Sequence, residues 1–434
     1  MRTLLALALS LVAGTALAAP SAGPDCTVIT NTRAHLPDGP AENIHVVLAD
    51  GAIRALGADL AGLGTPGANG VTWNGRRCAW VDGSNQELTT GFVDAHSSVG
   101  LVEVGMEGNT RHGDAGGKDP NRAHVRIVDG YNPLSSLVPI ARREGITSAV
   151  LMPGGGSFGG TAGAVDLAGT SQDDAIFRDV VALPARLNQG SAFSSRLGSL
   201  RATLAEARVY LKNPSAWRAR EGLREGAPNP DALAALEPVV KKLIPLVVSA
   251  DASWQLEALA RFATEEDVLL VIEGAAEGWI VADELAKADV TVVVRPYTYG
   301  PGAFTQMYAR PDNPALLADA GVPVIIASFS AHFSRVLRQL AGNAVRGGMS
   351  HQDALASITS VPADTFMLSG RGRLRVGEAA NVVLWSGDPL ELTSDAVGVW
   401  IRGRRRTLET RQTRLFERYN DLPGSPTEAL PLPK

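Results

Sequence analysis

Residues 89–100 read TTGFVDAHSSVG, an apolar run that carries an Asp-x-His pair and ends in small residues. Because alternate side chains of a strand face the same side, we expect Asp94, His96 and Ser98 to point together. A barrel strand that presents a metal site ends in this way, and two imidazoles at positions 96 and 98 would form half of a zinc site. Position 98 is serine here, so the stretch identifies a scaffold more clearly than a working reaction.

From residue 91 onward, apolar strand-like runs alternate with helical stretches. Such an alternation is typical of parallel β/α units, in which helices cover a sheet whose strands are buried on both faces. Two more helices follow, over 332–346 and 352–366. The number of units predicts an α/β fold, a (β/α)₈ TIM barrel. The predicted strands lie at 91–95, 147–152, 246–250, 268–273, 290–294 and 322–327.

Short strand patterns return at both ends of the chain. We therefore predict a composite β-sandwich domain built from residues 27–90 and 373–410, with Trp385 packed inside it. The barrel would occupy residues 91–372. A proline-rich tail at 423–434 is expected to be disordered.

The N-terminus has the pattern of a signal peptide over residues 1–18: a positive start, a short apolar run and a small-x-small cleavage site. We expect a soluble protein exported to the periplasm. Export would permit a bridge between Cys26 and Cys78, and two unpaired cysteines are the alternative, since sequence cannot show their separation.

Composition is that of an ordinary globular protein, with 45% hydrophobic residues, 20% charged residues and a net charge of −5. This balance argues against a nucleic-acid partner, and no membrane contact is expected after signal cleavage. The late basic run at 402–406 is interpreted as a strand end or hairpin tip, because it lacks the wider basic surface that nucleic-acid binding needs.

Four sequence blocks stand out along the chain: GFVDAH at 91–96, GGTAGAV at 159–165, AGNAVR at 341–346 and GRLRVGEAANVVLWSGDPL at 372–390, of which the last is the most specific. Together they resemble the amidohydrolase superfamily, specifically its imidazolonepropionase-like branch of exported proteins. The resemblance covers nearly the whole mature chain and implies a metal-site barrel with a composite β-sandwich.

In that family a divalent metal polarises an amide or cyclic amide carbonyl and activates water to hydrolyse the C–N bond. The resemblance implies a His-x-His, a bridging Lys or acid, two later histidines and a final Asp. This sequence keeps His96 and departs almost everywhere else. The replacements are Ser98, Asp166, Ser249, Gly274 or Glu273 depending on register, and Phe329. We therefore expect a degenerate metal site and no stoichiometric cofactor.

A different site remains an alternative: one weakly held divalent metal among oxygen ligands, or a carboxylate pair for acid/base work. The opposing interpretation is that the acids are solvated strand-end residues and that His332 faces solvent. The candidate pocket residues are Asp94, His96, Ser98, Asp166, Ser249, Asp251, Glu273, Phe329 and His332.

The sequence is therefore compatible with two functions. One is a hydrolase of amide C–N bonds with an altered site. The other is a non-catalytic barrel that binds a small-molecule ligand or partners an active paralogue or a second copy of itself. A carboxylate–histidine cluster at the barrel mouth would favour the first, and a mouth filled by Phe329 would favour the second.

Overall fold

The structure is a computed structural model that describes residues 26–114, 121–187, 192–220, 227–297 and 300–420. The predicted signal peptide (1–18) and tail (423–434) lie outside these residues. Within them, no helix combines the length and the apolar character needed to cross a membrane.

Strands alternate with helices along most of the described chain. The strands are β1 Cys26–Leu36, β2 Gly39–Ala49, β3 Ala52–Gly57, β4 Val71–Trp73, β5 Arg76–Asp82, β6 Glu87–Thr90, β7 Phe92–Ser97, β8 Ile146–Leu151, β9 Ala162–Asp166, β10 Ile176–Ala185, β11 Leu246–Ala250, β12 Leu270–Gly274, β13 Thr291–Val294, β14 Val324–Ile326, β15 Val382–Trp385, β16 Ala396–Ile401 and β17 Arg404–Arg406. The helices are α1 Leu137–Arg143, α2 Gln172–Ala175, α3 Phe193–Lys212, α4 Pro214–Arg220, α5 Pro230–Ala234, α6 Glu237–Val240, α7 Ser253–Glu266, α8 Ala282–Lys287, α9 Asn313–Asp319, α10 Leu337–Arg346, α11 His351–Ala356, α12 Ser360–Thr365 and α13 Arg411–Tyr419.

The middle of the chain forms an eight-stranded, nearly closed barrel sheet in the order β7 to β14. The predicted α/β TIM-barrel fold is thus confirmed, with one departure in strand direction. Strand β9 runs antiparallel to both β8 and β10, while the other neighbours are parallel. Only a glycine-rich loop separates β8 from β9, which is too short for the crossover that a parallel return needs.

Side chains alternate between the two faces of the barrel wall, as strand geometry requires. Val247, Val271, Val293 and Ile325 pack together in the barrel interior. Their neighbours on the same strands pack outward against the helices. Residues two positions further along β11 and β12 therefore reach the barrel mouth.

The seam between β14 and β7 is closed by main chain from the segment after α11. The Val93 amide donates to the Ile358 carbonyl at 2.8 Å, and the Ile326 amide donates to the Ser357 carbonyl at 3.1 Å. The single helix predicted over 352–366 is therefore wrong. It breaks into α11 and α12 because these carbonyls bond to the barrel strands.

The two chain ends build one nine-stranded sheet, in which β15 pairs with β6 and the chain continues through β1 and β2. Its inner apolar cluster contains Trp400. The expectation that Trp385 lies inside this domain is wrong. Trp385 faces the barrel, where it stacks on Phe92 with 5.2 Å between ring centres and donates to Thr89 Oγ1 at 2.9 Å.

Asp166 connects the barrel to this sheet. Its carboxylate is fully buried and accepts bonds from Arg371 Nη2 at 2.7 Å and from Arg402 Nε at 2.7 Å. Ser148 Oγ and Asn381 Nδ2 donate to the same carboxylate at 2.9 and 3.0 Å. Burial alone raises the pKa of Asp166, but the two guanidiniums outweigh it and hold the pKa below its usual value.

A disulfide joins Cys26 of β1 to Cys78 of β5, whose Cα atoms lie 4.6 Å apart. Both cysteines are buried in a small cluster on the outer face of the sheet. The bond closes a loop with a sequence separation of 52 residues.

We predict that Asp166→Asn lowers the free energy of unfolding by about 3–5 kcal/mol, because it leaves two guanidiniums without their buried counter-charge. Since the folded pKa is depressed, the ionic contribution is complete above the unfolded value near pH 4 and is lost as pH falls through the folded pKa. Urea unfolding at pH 7 and at several acidic pH values measures both effects.

The matched control is Asp267→Asn, since the exposed carboxylate of Asp267 pairs with Lys242 at the surface. Such a pair contributes about 0–1 kcal/mol. A loss in Asp166→Asn as small as that of the control would contradict the assigned role.

We also predict that the double variant Cys26→Ser with Cys78→Ser loses about 2–5 kcal/mol of unfolding free energy, because the unfolded chain regains the freedom of an open loop. Dithiothreitol should destabilise the parent protein and leave the double variant unchanged. Two titratable thiols in the non-reduced, denatured parent would show that the bond does not form.

Candidate functional site

A cavity of about 550 Å³ opens at the barrel mouth, beside the carboxyl ends of β10 to β13. Active sites of barrel enzymes lie at this face. The predicted site residues that line the cavity are His96, Ser249, Asp251, Glu273 and Phe329. The structure does not place Asp94, Ser98, Asp166 or His332 among the lining residues.

A β-bulge brings His96 into the mouth. Asp94 pairs with Ala149 and Ser97 pairs with Leu151, so β7 advances by one more residue than β8 between these pairs. An extra residue re-aims the following side chains. Val93 and Ala95 face the barrel interior, and the bulge then turns His96 inward as well.

His96 and Glu273 form the central polar pair of the mouth. His96 Nδ1 lies 2.5 Å from Glu273 Oε1, and both side chains are largely buried. Ser249 Oγ lies 3.4 Å from the other Glu273 oxygen. An activated serine must bond to the imidazole of its base, whereas Ser249 bonds to the carboxylate. The group is therefore no serine-nucleophile triad.

Phe329 covers the imidazole. Its ring centre lies 4.5 Å from that of His96, and its amide donates to the His96 carbonyl at 2.9 Å. The backbone of Phe329 has a positive φ of 55°. Such a conformation is uncommon for an aromatic residue and is held here by the bond to β7.

The choice between Glu273 and Gly274 as the inward residue of β12 is decided by the structure. Gly274 has a φ of +101°, and a Cβ there would lie 2.5 Å from Asp251 Oδ1. A side chain at that position would be strained and would displace Asp251, so Glu273 is the residue of β12 that presents its side chain to the mouth. Asp251 accepts from Gln306 Nε2 at 2.9 Å. Burial raises the pKa of Asp251, and the Gln306 bond opposes that rise.

The expectation that Asp94 points with His96 is wrong, because the bulge separates their directions. Asp94 is fully buried and accepts from the hydroxyls of Ser328 and Ser334 at 2.6 and 2.7 Å. Burial raises its pKa, against the effect of these bonds. Asp94 thus anchors the end of β14 to β7.

Asp166 was also misplaced. It faces the barrel interior, but β9 runs antiparallel, so the carboxyl end of β9 lies at the opposite end of the barrel from the mouth. Ser98 instead forms part of a turn, in which its carbonyl accepts from Leu101 and Val102. His332 is exposed to solvent.

The residues present do not fit the metal centre that the family resemblance implies. A structural or catalytic zinc takes at least three protein ligands, mostly imidazole and thiolate. Two of the expected ligand positions, Ser98 and Asp166, lie outside the cavity. The others hold His96, Ser249, Glu273 and Phe329, and His96 Nδ1 is bonded to Glu273. Among the described residues no group of three or more His, Cys, Asp or Glu is arranged to hold a metal ion.

Six further polar residues line the cavity and were missed: Arg186, Arg295, Tyr297, Gln306, Arg310 and Asn313. Arg295 directly follows the predicted strand 290–294. A charged residue immediately after an apolar strand could have identified it as a candidate for the barrel mouth. Arg186 follows β10, which the sequence pattern did not reveal. Gln306 lies in a loop and has no such signal.

No protein-family model matches the chain. A curated relative, Amidohydrolase tasK of Hapsidospora irregularis, is 24% identical over 362 residues, which are 74% of this chain and 36% of the relative. The match therefore spans about a third of the relative's length.

Two solved structures share the architecture. An amidohydrolase from Thermotoga maritima MSB8 matches with a TM-score of 0.75 at 23% identity, over 88% of this chain and 99% of that one. A prolidase complexed with N-methylphosphonate-L-proline matches with a TM-score of 0.54 at 16% identity, over the same shares of the two chains. At these identities the likeness shows the fold: an amidohydrolase-type barrel with a separate sheet domain.

Proposed function

We propose that this chain is an amidohydrolase-superfamily protein of the imidazolonepropionase-like branch, in which the metal centre has degenerated and the barrel mouth serves as a small-molecule binding site. The fold, the relative named an amidohydrolase and the sequence block at 372–390 support the family assignment. The binding role is supported by the cavity that opens at the mouth.

One observation carries the loss of the metal. Phe329 stands where the family's final Asp is expected, and its ring lies on the His96 imidazole. An aromatic ring cannot ligate a metal ion, so this position contributes no ligand. Without a metal, the described side chains of the mouth supply no Lewis acid to lower the pKa of water toward neutrality.

Hydrolysis of an amide or cyclic amide C–N bond is the second candidate, and the His96–Glu273 hydrogen bond is the observation that favours it. A carboxylate bonded to one imidazole nitrogen orients the ring and leaves the other nitrogen for acid/base work. In this reaction His96 would accept a proton from water, and Glu273 would stabilise the imidazolium formed. A nearby oxyanion donor would still be required.

Export to the periplasm is part of the proposal. The N-terminal pattern supports it, and so does the disulfide, because such bonds persist in oxidising compartments. A protein with a degenerate site can also act through a partner, so an active paralogue or a second copy of this chain is an expected partner class.

We predict that the protein purified without chelator contains well below one zinc per chain, because one imidazole with a few oxygens binds zinc far more weakly than a complete ligand set. Elemental analysis measures the content. His332→Ala is the matched control for His96→Ala, since His332 is exposed and outside the cavity.

Recovery of about one or more zinc per chain that is lost in His96→Ala, together with amidase activity, and retained in His332→Ala would refute the degenerate-site proposal. Turnover of amides by the zinc-free protein would instead bear on the second candidate, metal-free hydrolysis. If that turnover disappears in His96→Ala and in Glu273→Gln but persists in His332→Ala, the second candidate replaces the first.

A further inference from the structure

Three arginine side chains line the barrel mouth, and two of them, Arg186 and Arg295, come from strands three positions apart in the sheet. Arg186 directly follows β10 and Arg295 directly follows β13. The strands from β10 to β13 are parallel, so both residues emerge at the same end of the barrel. Within the described ranges, neither the Arg186 nor the Arg295 guanidinium forms a salt bridge with an acid.

The guanidinium of Arg295 is held in place by aromatic rings and not by an acid. Its central carbon lies 4.9 Å from the Tyr297 ring centre and 5.1 Å from that of Phe333. Arg295 Nε is buried and has no hydrogen-bond partner in the part of the chain that the structure describes. A buried donor without an acceptor is unfavourable and is normally satisfied by a partner or a ligand.

The acids of the mouth are already engaged elsewhere. Glu273 bonds to His96, and Asp251 accepts from Gln306. Arg310, which also lines the cavity, pairs with Asp312, and its guanidinium stacks on Trp279. The carboxylates of Asp251 and Glu273 share the cavity with Arg186 and Arg295, but among the described residues neither acid forms a salt bridge with either arginine.

We infer that the mouth recognises its ligand through an oxyanion group, a carboxylate or a phosphate, bound by Arg186 and Arg295. This inference rests on the proposed binding function and names its ligand class. A guanidinium presents its N–H groups as a planar fork that matches both oxyanions, and stacking on aromatic rings holds that fork in one plane. The remainder of the ligand would lie toward Phe329 and Ala276.

The test is calorimetric titration with three probes of similar size: N-benzoylglycine, its neutral analogue N-benzoylglycinamide, and phenyl phosphate. We expect at least one charged probe to bind about tenfold or more tightly than the amide, and the two charged probes distinguish a carboxylate site from a phosphate site. Arg186→Gln and Arg295→Gln should each weaken that charged probe about tenfold and leave the amide unchanged.

Matched variants keep the result interpretable. Arg404→Gln removes the same charge from exposed β17, far from the mouth, and should bind as the parent does. Arg295→Lys retains the charge without the fork and should fall between the parent and Arg295→Gln. Unchanged thermal unfolding of each variant establishes that it folds. Charged-probe binding that Arg186→Gln and Arg295→Gln do not alter would overturn the inference.

A mouth-filling variant separates this inference from the proposed function. Ala276 lines the cavity, and Ala276→Trp should abolish binding of every probe. If the acid and the amide bind equally and Ala276→Trp abolishes both, the oxyanion inference fails and the binding function stands. If no probe binds, or if Ala276→Trp leaves binding intact, both fail.

Discussion

The buried carboxylate of Asp166 is the constraint that joins the two parts of the molecule. It accepts from Arg371, just after the barrel helices, and from Arg402, in the turn between β16 and β17. Removing two guanidiniums and a carboxylate from water is costly unless each is paired, so the network holds only in one relative arrangement of barrel and sheet. The reversed direction of β9 puts this acid at the far end of the barrel from the mouth.

The residues at the barrel mouth differ from those of a metal centre. Side chains at the expected ligand positions are small, apolar or already bonded, as Ser249, Phe329 and Glu273 show. In the proposed binding function, Arg186 and Arg295 provide positive charge at the mouth. Fixed guanidiniums can orient an anionic group, but they do not provide a Lewis acid that activates water. The two arginines therefore favour the proposed binding function, whereas the His96–Glu273 pair is the feature that favours hydrolysis.

Periodicity found most of the barrel, because buried parallel strands are continuous apolar runs that stand out between helices. It missed β9 and β10, whose glycine-rich and polar surroundings lack that signal, and with them the position of Asp166. Strict alternation also failed on β7, since a bulge is invisible in sequence and reverses the direction of Asp94 relative to His96. The prediction that Trp385 is buried was correct, but it placed the indole inside the sheet domain. The indole instead stacks on Phe92 on the barrel side.

The sequence by itself determined the scaffold, the retained His96 and the absence of histidine at position 98, because these depend on local composition and on residue identity. Only the tertiary structure decided which acids share the mouth, that Glu273 rather than Gly274 faces His96, and that two arginines without acidic partners among the described residues converge there. The physical reason is that these facts depend on strand direction, register and bulges. Those depend on pairing between separate strands, as between β8 and β9, and they bring together residues as distant in sequence as His96 and Glu273, with a separation of 177.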